Sequence, residues 1–252
     1  MGEKRRIAFR VAYDGTDFLG WQRQATGRTV QGVIEEMLSR LNSNRPVAVV
    51  GAGRTDSGVH AEGQVAHAEV EIRYDDSELL YTLGKMSPAD LVISNLQTVP
   101  NNFHARYSAR RRSYRYRIIT TPNPFLARYA WHLPLELNVE AMRVAAQLLL
   151  GTHDYTTLSK HNPDTPNPIC EVYRAEWVES GEQLDFYVTA NRFLYGMVRL
   201  MVGFQYDVGR GSRIATELLE LLKAADRGLQ SMAVPAVGLS LVNVEYDELI
   251  FT

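Results

Sequence analysis

The sequence has little cysteine, little lysine and no long hydrophobic run. Cys170 is the only cysteine among 252 residues, which excludes a framework of disulfides within the chain. No stretch approaches the roughly 20 apolar residues that a membrane-spanning helix needs. Residues 1–10 begin with charge and contain no apolar signal core, so nothing predicts export. We therefore expect a cytoplasmic protein without a membrane partner.

Charge of one sign is not in excess either, since the formal net charge is −2. The choice of basic residue is uneven, because 23 of the 27 are arginine and four are lysine. Six arginines lie between Arg106 and Arg117, whereas acidic residues recur near the C-terminal end. Arginine suits phosphates and bases, so this segregation favours a cationic face for nucleic acid. An arginine-rich surface that is merely solvated explains the composition equally well.

The hydrophobic pattern predicts the order β-α-β-β-α-β twice. The first half has predicted strands at 6–13, 46–50, 64–72 and 91–99, with helices capped by Thr29 and Ser77. The second half has predicted strands at 113–120, 169–179, 183–190 and 239–247. Its predicted helices run from Asn138 to Gly151, over 193–208, and after Ser212, the last being an extra element.

This pattern indicates an α+β fold built from two ferredoxin-like halves. We expect them to form one extended, mostly antiparallel sheet with helices on one face. The predicted halves are residues 1–105 and 106–252.

A glycine-rich loop, residues 51–60, joins the second and third predicted strands and belongs to the first half. Arg54 and Asp56 stand two residues apart in it, well placed to face a ligand. A phosphate cradle is one interpretation, but the spacing of a P-loop is absent. An aspartate that stabilises a tight turn is another. His60 and His67 with Glu62 suggest a metal pair, although ordinary hydrogen bonding is favoured and we expect no metal.

Nine motifs follow one another along nearly the whole chain. They are YDGTDFLGWQ at 13–22, TVQ at 29–31, GRTDSGVHA at 53–61, GQV at 63–65, FHAR at 103–106, YRY at 114–116, GTHDY at 151–155, FLYGMVR at 193–199 and GL at 238–239. In this order they resemble the tRNA pseudouridine synthase A family.

The resemblance implies that the chain isomerises uridine to pseudouridine, at positions 38, 39 and 40 of the tRNA anticodon stem-loop. It also implies an RNA-binding homodimer whose tRNA spans both subunits, with no cofactor. Asp56 matches the nucleophile of the family, and attack on ribose C1′ or on base C6 stays open. Arg199 matches the residue that pairs with this carboxylate. Tyr114 would stack on the target base, and Arg54 would fill the vacated space or hold the backbone.

The same residues have plainer interpretations. Arg199 could extend its charge to solvent along an apolar helix, Tyr114 could be a core tyrosine, and the arginines of 106–117 could be a phosphate track or a solvated strand.

Three other functions compete with the synthase: an RNA-binding protein without activity, a glycosidic hydrolase and a structural oligomer. The first gives no reason for Asp56 with Arg199. The hydrolase would need a second carboxylate, and the oligomer would not need the 53–56 loop.

The chain departs from the family pattern at several points. Ser57 replaces a more usual alanine, and Arg192 stands where a small residue is common, so that it would add a phosphate contact or crowd the site. Residues 161–170 are the most divergent, and they lack the arginine often found before the strand near Ile169.

Overall fold

A computed structural model of the chain describes residues 2–163 and 165–247. It contains ten β-strands, mostly antiparallel, and five α-helices. The expectation of a mixed fold with a mostly antiparallel sheet is therefore confirmed. No helix of the described residues is long and apolar enough to cross a membrane.

The first six elements have the predicted order β-α-β-β-α-β. They are β1 Arg5–Tyr13, α1 Val30–Leu41, β2 Val49–Gly51, β3 His60–Val70, α2 Asp76–Met86 and β4 Leu91–Val99. β1 lies antiparallel to both β3 and β4, and β2 pairs with the end of β3. The inward face of β1 carries Ile7, Phe9 and Val11, all fully buried.

The two helices of this part begin at side-chain caps. The Thr29 hydroxyl accepts the N–H of Gly32, as predicted. The predicted cap Ser77 is wrong, because Asp75 accepts the N–H of Glu78 and completes a capping box with it. Ser77 instead donates to the Asp75 carboxylate. Aspartate is at least as good a cap as serine. The N–H of Asp75 donates back to the Glu78 carboxylate, and this reciprocal pair fixes the start of α2 two residues earlier than predicted.

The remaining nine elements include two short strands, β6 and β7, that the sequence pattern did not predict. They are β5 Ala109–Ile119, β6 Trp131–His132, α3 Val139–Gln147, β7 Gly151–Asp154, β8 Ile169–Ser180, β9 Gln183–Ala190, α4 Met197–Gly209, α5 Glu217–Ala224 and β10 Leu239–Tyr246. Asn138 caps α3 as predicted. Gly151 does not end that helix; it has a φ of 95° and opens β7.

The predicted cap Ser212 is also wrong. The N-cap of α5 is Thr216, with no side-chain hydrogen bond. Ser212 donates its hydroxyl to the carbonyl of Asp207 and so closes the end of α4. A serine after a helix can satisfy an orphan carbonyl as readily as one before a helix satisfies an N–H.

The described chain forms two compact units, residues 2–110 with 241–247, and residues 111–163 with 165–240. In the first unit the strand order is β4-β1-β3-β10, with β2 also paired to β3. In the second unit the order is β5-β9-β8-β7, with β6 on β5. α3 packs against α4 and β8. The division of the sequence into two ferredoxin-like halves, residues 1–105 and 106–252, stays a prediction.

Candidate active site

The loop that carries Asp56 joins β2 to β3 and is fastened to β3 at its start. The N–H of Ala52 donates to the carbonyl of Val65 at 2.8 Å. The side-chain amide of Gln64 donates to the carbonyl of Gly53 at 2.9 Å. These two bonds fix where the chain leaves the sheet, so residues 54–59 start from a defined position.

Residues 13–21, defined here as the clamp segment, hold the middle of this loop. The N–H of Trp21 donates to the carbonyl of Thr55 at 3.1 Å, and the N–H of Gly58 donates to the carbonyl of Phe18 at 3.3 Å. The hydroxyls of Tyr13 and Thr55 share a buried hydrogen bond of 2.8 Å. Backbone bonds on both sides of Asp56 thus leave its position little freedom.

The clamp segment approaches the loop closely enough that two of its residues must be glycine. A Cβ on Gly20 would lie 2.5 Å from the carbonyl oxygen of Thr55, and Gly20 has a φ of 87°. A Cβ on Gly15 would lie 2.0 Å from the carbonyl oxygen of Val59. Both contacts are with backbone, which cannot move aside as a side chain would.

Asp56 is half-buried, between the buried Thr55 and the exposed Ser57. Its carbonyl accepts the N–H of Val59 at 3.2 Å, closing a turn. Arg54, on the other side of Thr55, is exposed. The loop thus anchors its middle residue in the core and presents the two charged residues nearer the surface. Such a placement suits a carboxylate that has to meet a ligand.

The nearby histidines have protein partners. Nδ1 of His60 accepts the N–H of Gly15 at 3.0 Å and lies 3.3 Å from a carboxylate oxygen of Asp14. Nδ1 of His67 accepts the N–H of Ala105 at 3.1 Å. Burial lowers the pKa of His67 to about 4, with the nearby His104 adding to the effect. Among the described residues there is no group of three or more His, Cys, Asp or Glu fit to hold a metal.

Tyr114 belongs to β5 in the second unit and points to the same side of that strand as Tyr116. It is buried, and its ring meets Phe193 edge to face, with centroids 5.0 Å apart. The Tyr116 hydroxyl donates to the carbonyl of Pro235 at 2.9 Å, and burial raises the pKa of Tyr116 well above its ordinary value. Tyr116 is therefore a structural tyrosine, while Tyr114 lies beside the Phe193–Arg199 motif.

Arg199 lies in the first turn of α4 and is half-buried. Its Nε donates to the carbonyl of Val234 at 2.8 Å, and its own carbonyl accepts the N–H of Val234 at 3.3 Å. The guanidinium is thus anchored at Nε by backbone, which does not fit a side chain that merely reaches for solvent.

The arginines of 106–117 do not form a uniform exposed track. Within the second unit, Arg117 pairs with both oxygens of Asp185 at 3.0 and 3.1 Å, and Arg115 lies 4.0 Å from the same carboxylate. The buried Arg112 donates to the carbonyl of Asn191. The exposed members are Arg106, Arg110 and Arg111. The strand therefore offers fewer cations to a phosphate backbone than its sequence suggested.

Two features of these sites were missed by sequence reasoning. The clamp segment matched a family motif, but nothing in its spacing shows that it grips a loop some 40 residues away. Arg192 donates to the carbonyl of Asn167 at 2.6 Å, so it holds the chain just before β8 and has a structural task. Both contacts join residues distant in sequence, and only the tertiary structure shows them.

Comparison with known proteins gives consistent results. The family model described as tRNA pseudouridine synthase matches residues 10–108 and 145–247. The tRNA pseudouridine synthase A of Anoxybacillus flavithermus is 40% identical over 244 residues, covering 96% of this chain and 99% of the relative. That of Bacillus subtilis is 37% identical over 245 residues, with the same two coverages, 96% and 99%. The matched residues include both the Asp56 loop and the Arg199 helix. The chain therefore belongs to the tRNA pseudouridine synthase A family, whose members are isomerases.

Proposed function

We propose that this enzyme converts uridine to pseudouridine at positions 38, 39 and 40 of the tRNA anticodon stem-loop, with Asp56 as nucleophile. The main support is the way the loop is held. Thr55 is fixed through its backbone and its hydroxyl, while the carboxylate that follows is only half-buried. A nucleophile held in this way can meet a base without reordering the loop.

The reaction is an isomerisation whose atoms and electrons balance without an oxidant or reductant. The bond from uracil N1 to ribose C1′ breaks, and a bond from C5 to C1′ forms. The hydrogen on C5 leaves as a proton, and N1 gains one. Asp56 forms a transient covalent bond, either to C1′ or to C6 of the base, and then leaves. The rotation of the detached uracil requires that the base be unstacked, at a cost of a few kcal/mol.

The other matched residues take supporting roles in this proposal. A guanidinium favours the ionised form of a nearby carboxylate, and Arg199 is proposed to do this for Asp56. Tyr114 stacks on the target base, and the exposed Arg54 fills the space that the base vacates or holds the RNA backbone. Recognition then depends on shape and phosphates more than on base edges. We also propose that the enzyme is a cytoplasmic homodimer whose tRNA contacts both subunits.

The activity is tested with tRNA transcripts that carry tritium at uridine C5. Formation of the C5–C1′ bond must release the label into water, so release by the wild-type enzyme without any added cofactor is expected. Transcripts in which uridines 38, 39 and 40 are replaced by cytidine should release none. Release that is undiminished by these replacements would contradict the assigned positions. Absence of release from every transcript, with tRNA still bound, would contradict the activity itself.

A further inference from the structure

A cleft in the second unit has no role in the chemistry described above. It has a volume of about 310 Å³, near the lower end of the roughly 300–1,000 Å³ of small-ligand pockets. It is lined by Thr156, residues 159–163, Thr165, Pro166 and Pro168, and by Leu194, Tyr195 and Arg227. Leu194 and Tyr195 precede Arg199 in the same motif, so the cleft is contiguous in sequence with the proposed catalytic helix.

The lining of the cleft is cationic and aromatic. Lys160 and Arg227 contribute two positive charges, and among the described lining residues none is acidic. The Lys160 ammonium lies 5.3 Å from the centre of the Tyr195 ring, and this ring is 48% exposed. A cation beside an accessible aromatic face is the pairing that binds a phosphate and a base of one nucleotide.

The walls of the cleft are braced by hydrogen bonds to backbone. The N–H of Lys160 donates to the carbonyl of Tyr195 at 2.8 Å. The carbonyl of Ser159 accepts both from Nε of Arg227, at 3.0 Å, and from the side-chain amide of Gln230, at 2.7 Å. Arg192 donates to the carbonyl of Asn167, the neighbour of the lining residue Pro168. A cleft braced in this way is formed before a ligand arrives, which lowers the ordering cost of binding.

We propose that this cleft is an RNA subsite that takes one nucleotide of the substrate tRNA outside the reacting uridine. Lys160 and Arg227 bind its phosphates, and its base stacks on Tyr195. The inference rests on the proposed function, because it names a further contact for the same substrate. Several lining residues, among them His161 and Pro166, fall within residues 161–170, the stretch expected to depart most from the family pattern. We therefore expect this subsite to make the enzyme's choice of tRNA differ from that of its relatives.

The test compares Lys160→Gln and Tyr195→Leu with Lys223→Gln, which removes an equal charge from the exposed side of α5, where Lys223 lies 3.5 Å from Glu220. Tyr195→Phe serves as the conservative variant, since it keeps the ring. Dissociation constants for an unmodified tRNA transcript are measured between 50 and 200 mM salt. Tritium release from the same transcript gives kcat and KM, and thermal unfolding checks that each variant is folded.

Loss of a phosphate contact in Lys160→Gln should reduce the slope of log affinity against log salt by about 1. Loss of stacking in Tyr195→Leu should weaken binding by roughly five- to 150-fold. Both changes should raise KM while kcat stays within about twofold, because the contact is made equally in ground and transition states. Tyr195→Phe and Lys223→Gln should behave as the wild type.

An unchanged salt slope in Lys160→Gln, or unchanged affinity in Tyr195→Leu, would overturn the subsite while wild-type tritium release continued. A fall in kcat with KM unchanged would also overturn it, since the cleft would then act on the chemistry. Failure of the wild type to release tritium is a different result, and it would overturn the proposed activity.

Discussion

At the scale of single residues, Asp56 is defined by what holds its neighbours. Thr55 is buried and bonded through both its carbonyl and its hydroxyl, and the carbonyl of Asp56 itself closes a turn with Val59. The loop is therefore held in place at the residues on both sides of the Asp56 side chain. A carboxylate whose supporting residues are already satisfied can act on a ligand without first being rearranged.

His67 gives the first unit a pH-dependent stability. Its pKa is lowered to about 4 by burial, whereas the unfolded chain has the ordinary value near 6.5. Between these values the unfolded state binds more protons, so stability is full above about pH 6.5 and falls as the pH is lowered towards 4. The expected loss between pH 7.5 and pH 5 is about 2 kcal/mol.

Urea unfolding of wild type and His67→Gln across this range measures the effect. The variant is expected to have a lower free energy of unfolding at pH 7.5, because the acceptor for the Ala105 N–H changes. Its further loss on acidification should be smaller than that of the wild type by about 2 kcal/mol. Parallel curves for the two proteins would contradict the assignment.

At the scale of elements, the clamp segment and the Asp56 loop act as one piece. Gly20 of the clamp segment has a positive φ, and a Cβ there would lie 2.5 Å from the carbonyl oxygen of Thr55 in the loop. Gly20→Ala should destabilise the protein by about 2 kcal/mol more than Gly181→Ala, because overpacking against backbone adds to the cost of the left-handed conformation. Gly181 has a φ of 59° but open space around its ideal Cβ.

Activity should separate these two variants more sharply than stability does. Displacement of Thr55 moves Asp56, and a misplacement of about 1 Å can cost about 100-fold in rate. Tritium release by Gly20→Ala should therefore fall about 100-fold, while Gly181→Ala stays near the wild type. Equal activity of both variants would show that the clamp segment does not position the carboxylate.

Elements with a strong local pattern were predictable from the sequence, and their ends were less so. The alternating residues of β1 and β9 and the helical stripe of α1 identified those elements because burial imposes their periods. The predictions of Ser77 and Ser212 as caps are wrong, since a serine can bond to an aspartate or to the end of a preceding helix instead. β6 and β7 are too short for a period to show.

At the scale of the whole molecule, the first compact unit is built from two separate parts of the sequence. Residues 241–247 belong to the first unit, and the Tyr246 hydroxyl donates to the carbonyl of Ala105 at 2.7 Å. The alternating hydrophobic pattern of residues 239–247 predicted a strand but could not predict which strands it pairs with. The Asp56 loop was likewise predicted as a ligand-facing loop, whereas its grip by the clamp segment depends on contacts that local sequence does not encode.

Gly63 tests how closely β10 must approach β3. A Cβ at this position would lie 2.3 Å from the carbonyl oxygen of Val242, so Gly63→Ala should destabilise the protein by about 1–3 kcal/mol. Gly84 is exposed in α2, with nothing within 4 Å of its ideal Cβ. Gly84→Ala should stabilise the helix by roughly 0.5–1 kcal/mol. Denaturant unfolding that ranks the two variants in the opposite order would contradict the close approach.

The central claim, that Asp56 is the nucleophile, is tested most directly by tritium release from C5-labelled tRNA with Asp56→Asn. This variant keeps the size of the side chain but cannot form the covalent bond. Asp75→Asn is the matched control, because it makes the same change at the cap of α2, where asparagine serves equally well. We expect Asp56→Asn to bind tRNA and to release tritium at least about 1,000-fold more slowly than the control. Release at the control's rate would contradict the claim.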